Sequence, residues 1–296
     1  MVSYFKDEKR WSYSEPRTVF DVEFNRVGRD TQLSEIWNDI LTCNRGSPTK
    51  PLVLYFHGSP GLGKTYLLRK LFSKEGFPSE WTEVKEVKFL VLDFGLDGCR
   101  QASIYKEDFK EHPDLFALSR LYYVTFAVQS KVTWRQFLKN TVVPLIRAKL
   151  TDDLKKLMIK QLKVASGGEK ERCVILVDEI MKVELLGVGF ANRVRSAVCQ
   201  WMRELCRVVL FSTLDATFIT QECDSGRAVY GVTTLPLLSQ TDSISFFNKY
   251  IKVDFIDGLE RPVERATYIK QLALASGGHP RSIQVACEAW SSYRLI

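Results

Sequence analysis

Residues 51–68 read Pro-Leu-Val-Leu-Tyr-Phe-His-Gly-Ser-Pro-Gly-Leu-Gly-Lys-Thr-Tyr-Leu-Leu, and this stretch decides the fold. The apolar run Leu52–Phe56 predicts a buried strand, and a helix is expected to begin at Lys64. Between them lies a glycine-rich loop that fits the pattern G-x-x-x-x-G-K-[ST]. In that pattern the backbone N–H groups of the loop cradle phosphates, so the stretch predicts binding of a nucleoside triphosphate.

Each residue type in this loop has a physical task. Gly58, Gly61 and Gly63 allow the positive φ angles that turn N–H groups toward phosphate oxygens. Lys64 is expected to reach the β- and γ-phosphates, and the Thr65 hydroxyl is expected to complete a Mg²⁺ shell. The residues predicted to contact the nucleotide here are Gly58, Ser59, Pro60, Gly61, Leu62, Gly63, Lys64, Thr65 and Tyr66.

A second apolar run, residues 172–179, ends in two adjacent carboxylates. Its continuous β-branched residues, without polar alternation, predict a strand buried on both faces. Two carboxylates at the end of such a strand are costly unless they serve a charge. We therefore expect Asp178 to hold Mg²⁺ and Glu179 to orient or deprotonate the attacking water.

Ser212 and Thr213 end the next apolar run, residues 207–213. They would sit beside the γ-phosphate if their strand lies between the P-loop strand and the strand that ends in Asp178. A hydroxyl group in that place could bond the attacking water or the phosphate, although serine and threonine are also common at strand ends.

Two arginines are candidates for contacting the γ-phosphate. Arg281 follows a helix–helix turn, Gly277-Gly278-His279-Pro280, which could place its guanidinium at the mouth of the nucleotide site. Arg227 could act from the core or across a subunit interface, so a homo-oligomer is one expectation. Gly28 and Arg29, well before the P-loop, could fold over the adenine base.

The composition is that of an ordinary globular protein, with 296 residues, 45% hydrophobic, 26% charged and a net charge of +7. Apolar stretches of five or six residues are too short to span a membrane, and we do not expect the charged residues 6–10 to belong to a secretory signal. Seven singly scattered cysteines favour reduced thiols in an intracellular compartment, the cytoplasm or nucleus. His57 and His279 have no partner cluster that suggests a metal site, and we expect both to be structural.

Strands that alternate with helices predict a three-layer α/β fold with a parallel sheet and a small C-terminal helical lid. Residues 121–128 fit either a strand or the end of a buried helix. Residues 135–150 predict a helix, and residues 234–238 predict a short strand. The expected organisation is an extended arm at 1–23, a P-loop core at 24–240 with inserted elements near 95–150, and the lid at 241–296.

Positive charge is densest in residues 155–163, where lysines alternate with leucines and an isoleucine. This pattern predicts a helix with a solvated lysine face. A surface for nucleic acid or an acidic partner is the alternative. The lysines concerned are Lys155, Lys156, Lys160 and Lys163.

Taken in order, these motifs resemble those of AAA+/STAND-type P-loop ATPases over about residues 24–290. They are Gly-Arg-Asp at 28–30, the Walker A loop at 58–65, Asp-Glu at 178–179, the polar strand end at 212–213, Gly-Arg at 226–227 and Gly-His-Pro-Arg at 278–281. In detail, Ser-Gly-Arg before Leu-Pro-Leu-Leu-Ser, and Ser-Gly-Gly-His-Pro-Arg-Ser, look most like the ATPase domain of Crinkler-type effectors and retrotransposon-hot-spot proteins.

The resemblance implies a Mg²⁺-dependent ATP hydrolase, with Lys64 and Thr65 on phosphate and Mg²⁺ and Asp178 also on Mg²⁺. It further implies that Glu179 is the catalytic base. Ser212 or Thr213 would be the first sensor of the nucleotide, and Arg281 the second. Only about 15 residues follow Arg281, too few for a winged-helix domain after the lid. We therefore expect either a stand-alone ATPase module or part of a larger protein.

Three functions are weighed on these residues. The first is an ATP-driven molecular switch whose lid position reports the nucleotide state. The alternative is a nucleic-acid-directed ATPase of the mobile-element or initiator type, or an effector-associated ATPase module. A nucleic-acid-directed enzyme would need a basic surface. The sequence offers only the lysine helix for that surface. The third is a P-loop kinase, and a glutamate poised for water at position 179 argues against it.

Overall fold

A computed structural model describes the protein over residues 29–45, 52–73, 87–126, 132–167, 173–201, 204–213, 229–251 and 262–292. These residues form two compact units. The sheet unit consists of the described residues within 35–57 and 77–233, and the P-loop unit of those within 1–34, 58–76 and 234–296. In these stretches no helix has both the length and the apolar character needed to cross a membrane.

The sheet has the strand order β2-β3-β4-β1-β5. Its strands are β1 (Leu52–His57), β2 (Lys88–Asp93), β3 (Cys173–Asp178), β4 (Val208–Thr213) and β5 (Val229–Thr234). The pairs β2–β3, β3–β4 and β4–β1 are parallel. Strands β3 and β4 are buried at every position, as strands covered on both faces must be. The strand that ends in Ser212 and Thr213 therefore lies between the P-loop strand and the Asp178 strand.

Helices connect these strands and follow them. In chain order they are α1 (Asp30–Arg45), α2 (Lys64–Ser73), α3 (Leu96–Ser103), α4 (Lys106–Phe109), α5 (Pro113–Phe126), α6 (Trp134–Phe137), α7 (Val143–Arg147), α8 (Thr151–Ala165), α9 (Phe190–Trp201), α10 (Gln240–Tyr250), α11 (Pro262–Ala275) and α12 (Pro280–Ser292). A π-helical turn, Leu138–Val142, joins α6 to α7, and a 3₁₀ helix, Ile180–Leu186, follows β3.

Helices cover both faces of the sheet, which makes three layers. On one face, Trp37 of α1 packs edge-on against Phe89 of β2, with 5.9 Å between ring centroids. On the other face, helices α3 to α9 enclose the largest apolar core, in which Phe116 of α5 contacts four aromatic rings. These rings belong to Phe94, Phe109, Trp134 and Phe190. The elements near 95–150 thus form much of the core of the sheet unit.

The predicted α/β class with a parallel sheet is confirmed, and two local details, the segment 234–238 and the helix near 135–150, differ from expectation. Residues 121–126 are the end of α5, which is the helical alternative for that segment. The strand predicted at 234–238 is wrong, because the fifth strand is Val229–Thr234 and ends where 234–238 begins. Pro236 in that segment has no N–H to donate to a neighbouring strand, which disfavours pairing there.

The helix predicted near 135–150 is interrupted by the π-helical turn Leu138–Val142. Pro144 lies directly after this turn, near the start of α7. A proline ring clashes with the carbonyl four residues earlier, and the wider π turn accommodates it. The sequence pattern predicted the helical residues correctly but not the break.

In the P-loop unit, helices α10, α11 and α12 pack around their own apolar cluster, which includes Phe246, Phe247, Ile269 and Ile283. Ser239 caps α10, because its hydroxyl accepts a hydrogen bond from the Asp242 amide at 3.0 Å. The three helices are those expected in the C-terminal lid, and their role as a lid stays a prediction.

Candidate functional site

The Walker A loop follows β1 and leads into α2. Gly61 and Gly63 have φ angles of +82° and +92°, in the region that favours glycine. Lys64 is buried, with a relative exposure of 8%. Its Nζ donates hydrogen bonds to the carbonyls of Gly58 and Ser59, at 2.5 and 2.9 Å. The lysine ammonium is thus folded against the loop that precedes it.

The start of α2 fits an anionic group. The first amides of a helix have no intrahelical acceptor, and the helix dipole adds partial positive charge at this end. The first turn of α2 contains no acidic residue that would compete for this position. An ideal Cβ at Gly63 would have no atom within 4 Å, so the backbone at Gly63 is uncrowded. Thr65, partly buried, and Tyr66 follow in the same turn.

The turn before α12 packs against this loop. The Nε2 atom of His279 lies 3.0 Å from the carbonyl oxygen of Pro60. A Cβ added to Gly61 would lie only 2.6 Å from the Cβ of Arg281, so only glycine fits there. The Arg281 side chain thus begins beside Gly61 of the P-loop, and its Nη1 donates to Gln284 at 2.8 Å. Its role as second sensor stays a prediction.

Arg29 also contacts the P-loop, from the other end of the chain. It is 4% exposed, and its Nη2 donates to the Leu62 carbonyl at 3.0 Å. Burial lowers the pKa of this guanidinium, and the negative charge of Asp242 opposes that shift. The proposed contact of Arg29 with adenine is untested, and Gly28 lies outside the described residues.

In the sheet unit, polar residues gather at the carboxyl edge. Asp178 is 2% exposed and pairs in register with Asp93 at the end of β2. Glu179 follows with φ +54°, a strained conformation for a residue other than glycine. Its amide donates to Asp178 Oδ1 at 3.0 Å. Backbone strain of this kind clusters at functional sites, which supports the selection of this pair.

Asp93 is a candidate that the sequence reasoning missed. Its Oδ1 accepts a hydrogen bond from the Gly95 amide at 2.9 Å, and its carbonyl accepts one from Arg120 Nε at 2.8 Å. A Cβ at Gly95 would lie 3.6 Å from Asp93 Oδ1 and 4.0 Å from Glu179 Oε2, so both carboxylates flank this glycine. The signal was present, because Asp93 ends an apolar strand as Asp178 does.

Ser212 and Thr213 lie at the same edge. Their relative exposures are 4% and 2%, and their register partners on β1 are Phe56 and His57. On the other side, Phe211 pairs with Val177, so Ser212 is level with Asp178 on the adjacent strand. The placement that the Ser212 prediction required is therefore observed. The roles of both hydroxyls stay predictions, and Arg227 lies outside the described residues.

The oxygen donors proposed for Mg²⁺ are the Thr65 hydroxyl and the Asp178 carboxylate. Across the described residues, no three histidine, cysteine, aspartate or glutamate side chains are grouped for a metal ion. Mg²⁺ in nucleotide sites is usually held by one or two protein oxygens together with phosphates and water. A hydroxyl and a carboxylate are each a type of oxygen that Mg²⁺ accepts in such a site.

No family model matches this chain, and no curated protein matches it at a significant level. Among solved structures it is similar to PCH-2 of C. elegans, with a TM-score of 0.48 and 16% identity, over 91% of this chain and 65% of that chain. The chain thus spans slightly less than two thirds of that relative.

Two further solved structures are similar. One is the HORMA:CdnC:Trip13 complex of E. coli MS115-1, with a TM-score of 0.42 and 10% identity, over 85% of this chain and 74% of that chain. The other is the Walker-type ATPase paby2304 of Pyrococcus abyssi, with a TM-score of 0.43 and 14% identity, over 88% and 72%. With every TM-score below 0.5, these similarities decide nothing about activity or partners. The fold class follows from the strand order and the P-loop of this chain.

Proposed function

We propose that this chain binds ATP through its Walker A loop and hydrolyses it with Mg²⁺, as a nucleotide-driven switch of the AAA+ type. The observation that carries the proposal is the loop itself. Two glycines with positive φ lead into a helix whose first turn has no acidic residue, and the buried Lys64 ammonium lies against the loop. Backbone amides, a helix dipole and a fixed cation together suit a polyphosphate.

Thr65 and Asp178 are the residues proposed to hold Mg²⁺, which when bound neutralises charge on the β- and γ-phosphate oxygens. Burial of Asp178 among apolar strands makes its carboxylate expensive unless a cation or donor compensates it. This cost supports the proposal that Asp178 serves a charge.

Glu179 is the proposed general base for the attacking water. Ser212 or Thr213 is the proposed first sensor, because both hydroxyls are at the sheet edge that carries Asp178. Arg281 is the proposed second sensor, since the Cβ of its side chain adjoins Gly61. Arg227 is proposed as a γ-phosphate contact from the core or from a neighbouring subunit, so a homo-oligomer belongs to this proposal.

Hydrolysis is favoured over phosphate transfer to a small substrate because a glutamate follows Asp178 directly. The finer likeness to the ATPase domains of Crinkler-type effectors and retrotransposon-hot-spot proteins is a proposal that rests on sequence motifs alone. An ATPase directed by nucleic acid is less favoured, because the lysine helix α8 engages carboxylates of its own chain.

The test is to measure ATP binding and ATP turnover for the wild type and for Glu179→Gln. Glutamine keeps the shape of the side chain but cannot accept the proton, so turnover should fall by roughly 10² or more while ATP stays bound. Glu111→Gln, at an exposed position of the sheet unit, is the matched control and should keep its turnover. Equal turnover in Glu179→Gln and wild type would contradict the role of Glu179 as base.

A further inference from the structure

We propose that Arg29 and His279 are positioning residues that hold the Walker A loop in its phosphate-binding conformation. The inference rests on the proposed nucleotide binding and concerns side chains outside the Walker motif. Each residue bonds one carbonyl of the loop, Arg29 that of Leu62 and His279 that of Pro60. We call this pair of contacts the loop brace.

The first contact of the loop brace is buried. Arg29 Nη2 donates to Leu62 at 3.0 Å, while Nη1 is buried and has no hydrogen-bond partner among the described residues. A buried guanidinium with an unsatisfied N–H is a poor source of stability, because the desolvation of that group is not repaid. The contact with the loop is therefore better explained as positioning than as general stabilisation.

The second contact shows which ring nitrogen of His279 carries a hydrogen. A carbonyl oxygen can only accept, so Nε2 must carry the hydrogen in its contact with Pro60. The other ring nitrogen, Nδ1, is buried and has no hydrogen-bond partner in the part of the chain that the structure describes. Among the described residues, the hydrogen bond of the imidazole is thus the one to the P-loop backbone.

The turn that carries His279 is fixed in its own position. Leu238 N donates to the Gly278 carbonyl at 2.8 Å, and a Cβ at Gly278 would lie 2.2 Å from the Leu238 carbonyl oxygen. On its other side the turn meets Gly61 without room for a methyl group. A continuous packed path therefore runs from the loop through His279 to the start of α10. A change in the loop on nucleotide binding would be transmitted to the C-terminal helices through these packed contacts.

The test compares His279→Phe, which removes the donor, with His279→Gln, whose amide can still donate to Pro60. His112→Phe is the matched control, because His112 lies in the sheet unit. We expect His279→Phe to weaken ADP affinity by about three- to tenfold, the effect of one lost hydrogen bond. The ADP affinity of His279→Gln should stay close to that of wild type.

Arg29→Met should weaken ADP affinity to a similar degree, and the exposed control Arg135→Met should not.

A second readout needs no nucleotide. Hydrogen exchange of the amides at 58–63 should be faster in His279→Phe and Arg29→Met than in wild type, and unchanged in His279→Gln and both controls. Circular dichroism confirms that each variant is folded. Unchanged exchange and unchanged ADP affinity in both brace variants would overturn the loop brace. If the exchange rates change as expected but wild type binds no ADP or ATP, the loop brace is confirmed as a structural contact and the proposed function fails.

Discussion

The surroundings of Glu179 raise the pKa of its carboxylate above that of an ordinary glutamate. Burial raises its pKa most, the negative charges of Asp178 and Asp93 raise it further, and Lys182 opposes them. A general base must be deprotonated to accept a proton. The activity of Glu179 should therefore be lost as the pH falls through this raised pKa, at a higher pH than for an ordinary glutamate.

Asp93→Asn tests this electrostatic account. Asparagine keeps an oxygen that can accept the hydrogen bond from Gly95 but removes one negative charge beside Glu179. The pKa of Glu179 should then fall, so the acid limb of the kcat–pH profile should move to lower pH. Asp108→Asn, at a surface ion pair with Arg147, is the control and should leave the limb in place. An acid limb that does not move in Asp93→Asn would contradict this account.

The residues of the candidate site differ in how well they could be predicted from the sequence. The Walker A residues and Asp178 could be selected because their chemistry depends on neighbours in sequence. The pairing of Asp93 with Asp178 and the contact of His279 with Pro60 could not be predicted, because each joins residues that meet only after folding, 85 and 219 positions apart. His279 was expected to be structural, and its contact with the P-loop is what that expectation omitted.

Two of the lysines of helix α8 are paired with carboxylates outside the helix. The helix buries Leu154, Met158 and Leu162 and turns its lysines outward. Lys155 forms an ion pair with Asp114, and Lys163 forms one with Glu204 at 3.1 Å. These carboxylates lower the local positive potential, so they disfavour contact with nucleic-acid phosphates.

Replacing the four lysines of α8 by glutamine tests whether the helix binds nucleic acid. We expect weak DNA binding by the wild type, with little change in the variant. If these lysines contacted phosphates, each lost contact would reduce the slope of log affinity against log salt by about 0.9 for duplex DNA. A steep slope that collapses in the variant would favour the nucleic-acid-directed ATPase. The replaced residues are Lys155, Lys156, Lys160 and Lys163.

Most elements could be predicted because hydrophobic periodicity is a local signal. The boundaries of β3, β4 and α8 agree with the predictions within one residue or a few. The signal fails where a buried helix end and a buried strand have the same composition, as at 121–126 in α5. It also fails at the π turn before Pro144, since a change in helical hydrogen bonding leaves apolar spacing almost intact.

At the scale of the whole molecule, the strand order could not be predicted from the sequence. From the sequence we could only say what would follow if β4 lay between β1 and β3. Pairing of β4 with both β1 and β3 joins segments that are far apart in the chain. Hydrophobic patterns define which residues form a strand, but they do not define its neighbours. The α/β class could be predicted from alternation of strands and helices, whereas the placement of Ser212 beside Asp178 needed the structure.

The measurement that tests the central claim most directly is calorimetric titration of Mg²⁺-ATP into the wild type, Lys64→Ala and the exposed control Lys139→Ala. The Lys64 ammonium is expected to form charge-assisted hydrogen bonds with the triphosphate, each worth about 1.5–3 kcal/mol. The account predicts that wild type and Lys139→Ala bind ATP alike and that Lys64→Ala binds at least about tenfold more weakly. Equal affinity in Lys64→Ala and wild type, or no binding by the wild type, would contradict it.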